Sequence, residues 1–411
     1  MKVPFIDLKA SYNPLHEEIM KEMNGVFERC DFVLGGAVRD FEAAVREYCG
    51  VKYALGVANG TDALVIALRA LNIGKGDEVI TTPFTFFATA ESIYEVGARP
   101  VFCDISPESY NLDPKGVEQF IEAYCDQNEK GIFNRATGGR VRAILPVHLY
   151  GLMADMQAFR HLQEKYGLDI IEDAAQAMGA TVDIDGKEFA QAGSVGDVGC
   201  FSFYPSKNLG GSGDGGMIVT NREDIFEKAK ALHVHGSRQR YYHSEFGYNS
   251  RLDTIQAAVL KLKLPLMPKW LEMRVANAQL YNKVLREKLT AAKIPVVMSA
   301  ELPEDGARPE GAVVLPSEPR CLHHTYNSYE IRVPDRDNAS KALNEQGVGT
   351  MIYYPLPLHL QDVFEYLKLG EGDLPVAERI CGDILALPQY PEIGADAIEH
   401  VADCLAGYLK G

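Results

Sequence analysis

The chain has 411 residues, 46% of them hydrophobic and 24% charged, and a net charge of −16. That balance suits a globular protein with more than one core, and so acidic a chain disfavours nucleic acids and anionic membranes, which select basic patches. No apolar run approaches the roughly 20 residues of a membrane span, Met1–Asp7 does not read as a secretion signal, and eight scattered cysteines without a C-x-x-C pair suit a reduced, cytoplasmic protein.

Residues 1–35 read as an N-terminal arm with a helix over Glu17–Cys30. Helical and strand patterns then alternate. Helices are expected over Val38–Tyr48, Thr61–Leu71, Thr85–Tyr94, Pro114–Tyr124 and Asp155–Tyr166. Strands are expected over Tyr53–Ala58, Glu78–Thr82, Pro100–Asp104, Val141–Val147, Leu168–Asp173, Gly199–Tyr204 and Met217–Thr220. Asp126–Gly139 reads as a polar loop. Such alternation predicts βαβ units and a mostly parallel, buried sheet, whose ligands gather at the carboxyl ends of the strands. Helices over Arg251–Lys261 and Leu271–Leu289 follow, then a surface insertion over residues 300–320, then a smaller α+β unit from Tyr329 onward. The expected division is an arm over 1–35, a large domain over 36–250, and long helices with a small domain over 251–411.

Several strand ends carry residues with chemical potential. Asn59-Gly60-Thr61 places small residues at a helix N-terminus, where free N–H groups and the helix dipole favour phosphate; an ordinary cap by Asn59 or Thr61 is the plain alternative. Asp173 closes an apolar strand with Glu172 facing the opposite way. A carboxylate buried there needs a partner such as a protonated pyridine nitrogen, or it serves as a helix cap. Phe86 can stack on a flat ring or belong to the core. Lys207 follows a strand that halts at Pro205, and it leads into a glycine-rich stretch. A lysine desolvated at such a junction is a better amine nucleophile than a surface one. Gly211–Gly216 matches G-x-G-x-x-G formally but precedes a strand, not a helix, so it is no dinucleotide fingerprint. His323, His324 and His359 lack metal-ligand spacing, and no metal site is expected.

Read together, these features resemble the DegT/DnrJ/StrS family of nucleotide-sugar aminotransferases. The resemblance rests on Asn59–Leu64, Thr82–Ala90, Pro146–Gly151, Ile171–Gln176, Ser202–Gly216 and Gly247–Asp253. It implies an α/β fold of fold-type I, with a mostly parallel seven-stranded sheet and a smaller C-terminal α+β domain. It also implies pyridoxal 5′-phosphate as cofactor, Lys207 bonding to it and shuttling the substrate proton, and Asp173 keeping the ring nitrogen protonated. Gln176 would face the ring hydroxyl oxygen and Phe86 the ring. Gly60, Thr61 and Ser202 would hold the phosphate. Asn249 would reach the phosphate of the other subunit, so that a homodimer shares its active sites.

The resemblance further implies an amino-acid donor, usually glutamate, and a keto-sugar nucleotide acceptor. Wording around Arg240–His243 and Asn249–Arg251 is closest to enzymes aminating C3 of a UDP-linked 3-keto-hexuronate. Arg251 would then face the sugar carboxylate, or else form a plain helix-start ion pair. Tyr353-Tyr354-Pro355 stands where the family commonly has His-Tyr-Pro, so Tyr353 and Tyr354 are candidate substrate contacts. Alternatives remain: C4 or dTDP-sugar amination, cyclitol amination and aminohydroxybenzoate-type synthesis. A non-catalytic regulator would lose Lys207, Asp173 or Gln176, and all three are present. The 3-deoxygenases replace the lysine with histidine, which Lys207 argues against.

Overall fold

A computed structural model describes residues 1–184, 187–317 and 322–411. Its main sheet runs in the order Tyr53–Val57, Gly216–Thr220, Val198–Ser202, Asp169–Asp173, Arg140–Leu145, Asp77–Thr81, Arg99–Phe102. Gly216–Thr220 is antiparallel to both neighbours, and the other pairs along this path are parallel. The strands are apolar on both faces because helices cover both. Ile80, Ile144 and Ile170 pack into one core, while their sequence neighbours Val79, Leu145 and Ile171 pack into another on the opposite face. Helix Gly60–Ala70 lies on this second face. It buries Ala63 through Leu68 and Ala70, at about 1.5–3 kcal/mol per large aliphatic side chain, which pins its N-terminus beside the strand ends.

The expected polar loop over Asp126–Gly139 is corrected by the structure. Cys125–Asn128 and Gly131–Asn134 form a hairpin that pairs with Arg140–Leu145 and extends the sheet to nine strands. Its polar sequence hides an alternation in which Ile132 and Asn134 face inward. Asn134 is buried because its amide donates to Glu78 at 2.9 Å.

A second sheet joins Val296–Met298, Val313–Leu315, Tyr329–Arg332 and Ile384–Leu387, in that order. Helices Met267–Ala291 and Ala395–Lys410 complete its core, and Val3 of the N-terminal arm is buried in it, bridging to Val348. The expected surface insertion over 300–320 is corrected at Val313–Leu315, a fully buried strand too short to stand out from its Pro- and Glu-rich surroundings. Residues 318–320 lie outside the described residues. A third, small sheet, Thr181–Ile184 with Lys187–Gln191 and Leu322–His323, was not expected from the sequence pattern. Among the described residues no helix is long and apolar enough to cross a membrane.

Candidate active site

The parallel strands and Tyr53–Val57 deliver their carboxyl ends to one edge of the sheet, and there the sequence candidates meet. Asn59 caps helix Gly60–Ala70 by accepting from the Asp62 N–H at 2.8 Å. The plain cap reading therefore holds for Asn59. It also leaves Gly60 and Thr61 in the first turn, where N–H groups have no intrahelical acceptor. Ser202 closes this corner from the neighbouring strand. A Cβ on Gly60 would come within 2.7 Å of Ser202 Cβ, and one on Gly216 within 2.3 Å of the Asn59 carbonyl. The backbone forms a tight cradle that only glycine permits.

Asp173 is 5% exposed at the end of its strand. Thr89 donates to its Oδ2 at 2.8 Å and the Ala175 N–H to its Oδ1 at 3.2 Å. Burial pushes its pKa up, and Thr89, Ala175 and Lys207 work against that. Residues 174–178 form turns, so Asp173 caps no helix. Lys207 keeps part of its surface, yet the dense surroundings of its amine pull its pKa down to about 8, with Asp173 the opposing influence. A buried carboxylate facing an amine so perturbed is the pattern of a reactive site.

Glu172 points to the other face, as strand alternation requires. It is fully buried and accepts from the N–H groups of Gly193, Val195 and Gly196 at 2.8, 2.8 and 2.6 Å. His148 Nε2 bonds to it at 2.8 Å, and His148 Nδ1 accepts from the Ala154 N–H. With Nδ1 accepting, Nε2 is the nitrogen that donates to Glu172. His148 N–H also donates to the Asp173 carbonyl at 3.0 Å, which fixes the main chain under the carboxylate.

Gln176 is oriented by the Tyr150 N–H, which donates to Oε1 at 2.7 Å; Nε2 lies 3.5 Å from the Tyr354 hydroxyl. Tyr354 stands 6.4 Å from Phe86, ring to ring. Phe86 lies ahead of a helix that begins at Ala88, not Thr85, and it is 60% exposed. Tyr353 rests edge-on against Phe5 of the N-terminal arm at 5.9 Å, and its carbonyl accepts from the Tyr150 hydroxyl. Asn249 and Arg251 are held differently. Ser250 turns inward and accepts from the Ala58 N–H at 3.1 Å, whereas Asn249 is exposed and accepts from the Arg251 guanidinium. Alternation along 249–251 sends those two side chains outward. Their side chains bond to each other. The helix expected to begin at Arg251 starts at Thr254.

Three contributors had gone unassigned in the sequence. Thr89, four residues after Thr85 and bonded to it, anchors Asp173. Tyr12 and Lys263 both donate to the Gly210 carbonyl, three residues past Lys207. The Thr85/Thr89 spacing is a legible signal; nothing local marks Tyr12 or Lys263.

Comparison with known proteins agrees with this geometry. The DegT/DnrJ/EryC1/StrS aminotransferase family matches residues 13–406. A pleiotropic regulatory protein of Geobacillus stearothermophilus is 42% identical, over 100% of this chain and 99% of the relative. The UDP-N-acetyl-3-dehydro-α-D-glucosamine 3-aminotransferase of Acidithiobacillus ferrooxidans is 39% identical, over 100% and 98%. The crystal structure of S. venezuelae DesV with a ketimine intermediate superposes with a TM-score of 0.85 at 36% identity, covering 99% of this chain and 98% of that one. Glycine-lined cradle, buried aspartate and low-pKa lysine suit pyridoxal phosphate, on which these enzymes depend. The chain belongs to the DegT/DnrJ/EryC1/StrS aminotransferase family and is a pyridoxal-phosphate-dependent aminotransferase of fold type I.

Proposed function

We propose that the enzyme moves an amino group from glutamate to C3 of a UDP-linked 3-keto-hexose or 3-keto-hexuronate, as a cytoplasmic homodimer. The observation that carries the reading is Lys207, an amine drawn down to about 8 next to buried Asp173 and the Ser202 cradle. The 39% identity to a UDP-sugar 3-aminotransferase supports the acceptor class. Over the full cycle the donor becomes a 2-oxo acid, the sugar carbonyl becomes an amine, and the carbonyl oxygen passes to the donor carbon by way of water.

When bound, the cofactor supplies an electron sink through its protonated ring. The chain's own groups do the rest. Lys207 binds the cofactor and, once released, moves the proton at the substrate carbon. Asp173, fixed by Thr89, holds the proton on the ring nitrogen. Gln176 presents its amide N–H to the ring oxygen, because Tyr150 already occupies the amide oxygen. Phe86 covers the ring face. Gly60 and Thr61 N–H groups, the helix dipole and the Ser202 hydroxyl hold the phosphate. Asn249, turned outward, serves the phosphate of a second copy, and Arg251 beside it faces the sugar acid. Tyr353 and Tyr354 line the acceptor side.

Incubating the holoenzyme with glutamate and a panel of keto-sugar nucleotides, then locating the new amine by NMR, tests this reading. A C4 amine, or turnover of dTDP-sugars alone, overturns the assignment. The name of the Geobacillus relative favours a regulator. That reading expects a colourless protein that takes up no cofactor, against a yellow one bleached by borohydride.

A further inference from the structure

A cavity of about 20 Å³ is walled by Tyr110, Leu149, Tyr150, Tyr326, Ser328 and Glu330, with Glu108 at its exposed side. Three of its walls carry buried polar atoms without a well-formed protein hydrogen bond among the described residues: Tyr110 Oη, Ser328 Oγ and Glu330 Oε1, with the Ser328 hydroxyl close enough to the Glu330 carboxyl to interact with it. These residues are 4%, 6% and 3% exposed. One such orphan is uncommon, and three around one cavity form a single arrangement that calls for a shared partner. The walls are firmly held. Thr325 N–H donates to the Gly151 carbonyl at 2.9 Å and Ser328 N–H to that of Tyr150 at 3.4 Å. Tyr110 and Tyr150 have φ of 61° and 58°, a left-handed backbone that tyrosine adopts only where its surroundings impose it.

Size and charge select the guest. A space of this volume admits about one water molecule and nothing larger. Burial pushes Glu330 up to about 8, with the nearby Ser328 hydroxyl only partly opposing it, so the carboxyl is protonated at neutral pH. The flanking tyrosines are likewise neutral, their pKa values raised by burial, and His324 is pulled down to about 3. With no charge to balance, an ion gains little here. A water molecule has the matching set: it accepts from the Tyr110 and Ser328 hydroxyls and donates to the carboxyl oxygen.

We infer that the cavity beside Tyr150 is a built site for one water molecule, which ties Tyr110 to the Ser328–Glu330 segment. Tyr150 donates to Gln176 through its N–H and to the Tyr353 carbonyl through its hydroxyl. The site therefore lies against the residue that orients Gln176, and it stands whatever role Gln176 plays.

Crystals of the holoenzyme, native and soaked in rubidium chloride, should show one solvent peak at roughly 2.6–3.2 Å from all three atoms, without rubidium's anomalous signal. Empty density, a rubidium peak, or a protein group bonded there instead overturns the inference. Tyr110→Phe gives an independent reading in solution. A hydroxyl bonded to water stabilises, whereas an orphan hydroxyl costs stability. The variant should therefore lose about 1–2 °C of melting temperature. A melting temperature that holds or rises overturns the site. Ser328→Ala should lower it as well, and the double variant should fall short of the sum, because both hydroxyls bind one guest.

Discussion

Tyr12 and Lys263 grip the same carbonyl. The Lys263 ammonium sits 4.1 Å from the centre of the Tyr12 ring, and both donate to Gly210, Tyr12 at 3.1 Å. Tyr12 also donates to the Gly211 carbonyl. The N-terminal arm is thereby fastened to the turn that carries Lys207.

The two halves of this clamp should respond differently to removal. Tyr12→Phe deletes both tyrosine donations, so it should lower the melting temperature by about 1–3 °C and weaken cofactor retention. Lys263→Met fills the same space and removes a buried charge, so its cost at neutral pH should be smaller. Burial holds Lys263 down to about 8 against an ordinary 10.5. Between those values the unfolded chain binds more protons, so this lysine makes stability rise with pH. Chemical denaturation of both chains at about pH 8 and pH 10 checks this; an identical slope in Lys263→Met removes the lysine from the explanation.

Lys207 sets the pH dependence of cofactor capture. The neutral amine is the reactive form, and its pKa is about 8. Capture by the apo-protein, followed by visible absorbance, should speed up with pH and level off above about 8. Asp173 is the one influence holding that value up, so Asp173→Asn should move the profile to lower pH. It should also cut turnover by roughly 10²-fold or more, since the charge at the ring nitrogen is lost. A profile that moves to higher pH would contradict the pairing of the two residues.

The parts of the site that were legible in the sequence share one property. Asn59, Asp173 and Ser202 stand at or just past the end of an apolar strand, where a polar residue interrupts a strong pattern, and Lys207 sits in the turn that follows Ser202. The helices and the seven-strand path were legible for the same reason, being long and periodic. What escaped was non-local or short. Tyr12 meets Gly210 only through tertiary packing. Val313–Leu315 is three residues long, and the Cys125–Asn134 hairpin carries its inward residues in a polar stretch. Asn249 and Arg251, expected at a phosphate and a sugar acid, face outward and bond to each other.

The cradle offers a test through non-additivity. Gly60→Ala places a methyl 2.7 Å from Ser202 Cβ and 3.3 Å from its Oγ, too close for either backbone to ignore. Cofactor affinity should fall about tenfold, equivalent to about 1.4 kcal/mol. Adding Ser202→Gly removes the clash together with one hydroxyl, so the double variant should recover part of the loss. Fluorescence titration of the apo-proteins measures both. If Ser202→Gly makes Gly60→Ala worse by its own full cost, lack of space is not the cause.

Glu172 is expected to be the most sensitive position outside the reacting groups. Its two oxygens receive three backbone N–H groups and the His148 ring, all without solvent. Glu172→Gln keeps the shape but turns one acceptor into an NH₂ that faces donors. Breaking a buried charged network of this kind costs about 3–5 kcal/mol. The main chain under Asp173 depends on the same region, through the His148 N–H on the Asp173 carbonyl and the Asp173 N–H on Pro146, both at 3.0 Å. The variant should therefore melt several degrees lower, and, at temperatures where it remains folded, it should hold the cofactor more weakly. Circular dichroism melting and cofactor titration separate the two effects. Lower stability with unchanged cofactor affinity would make Glu172 a core group alone, with no hand in placing Asp173.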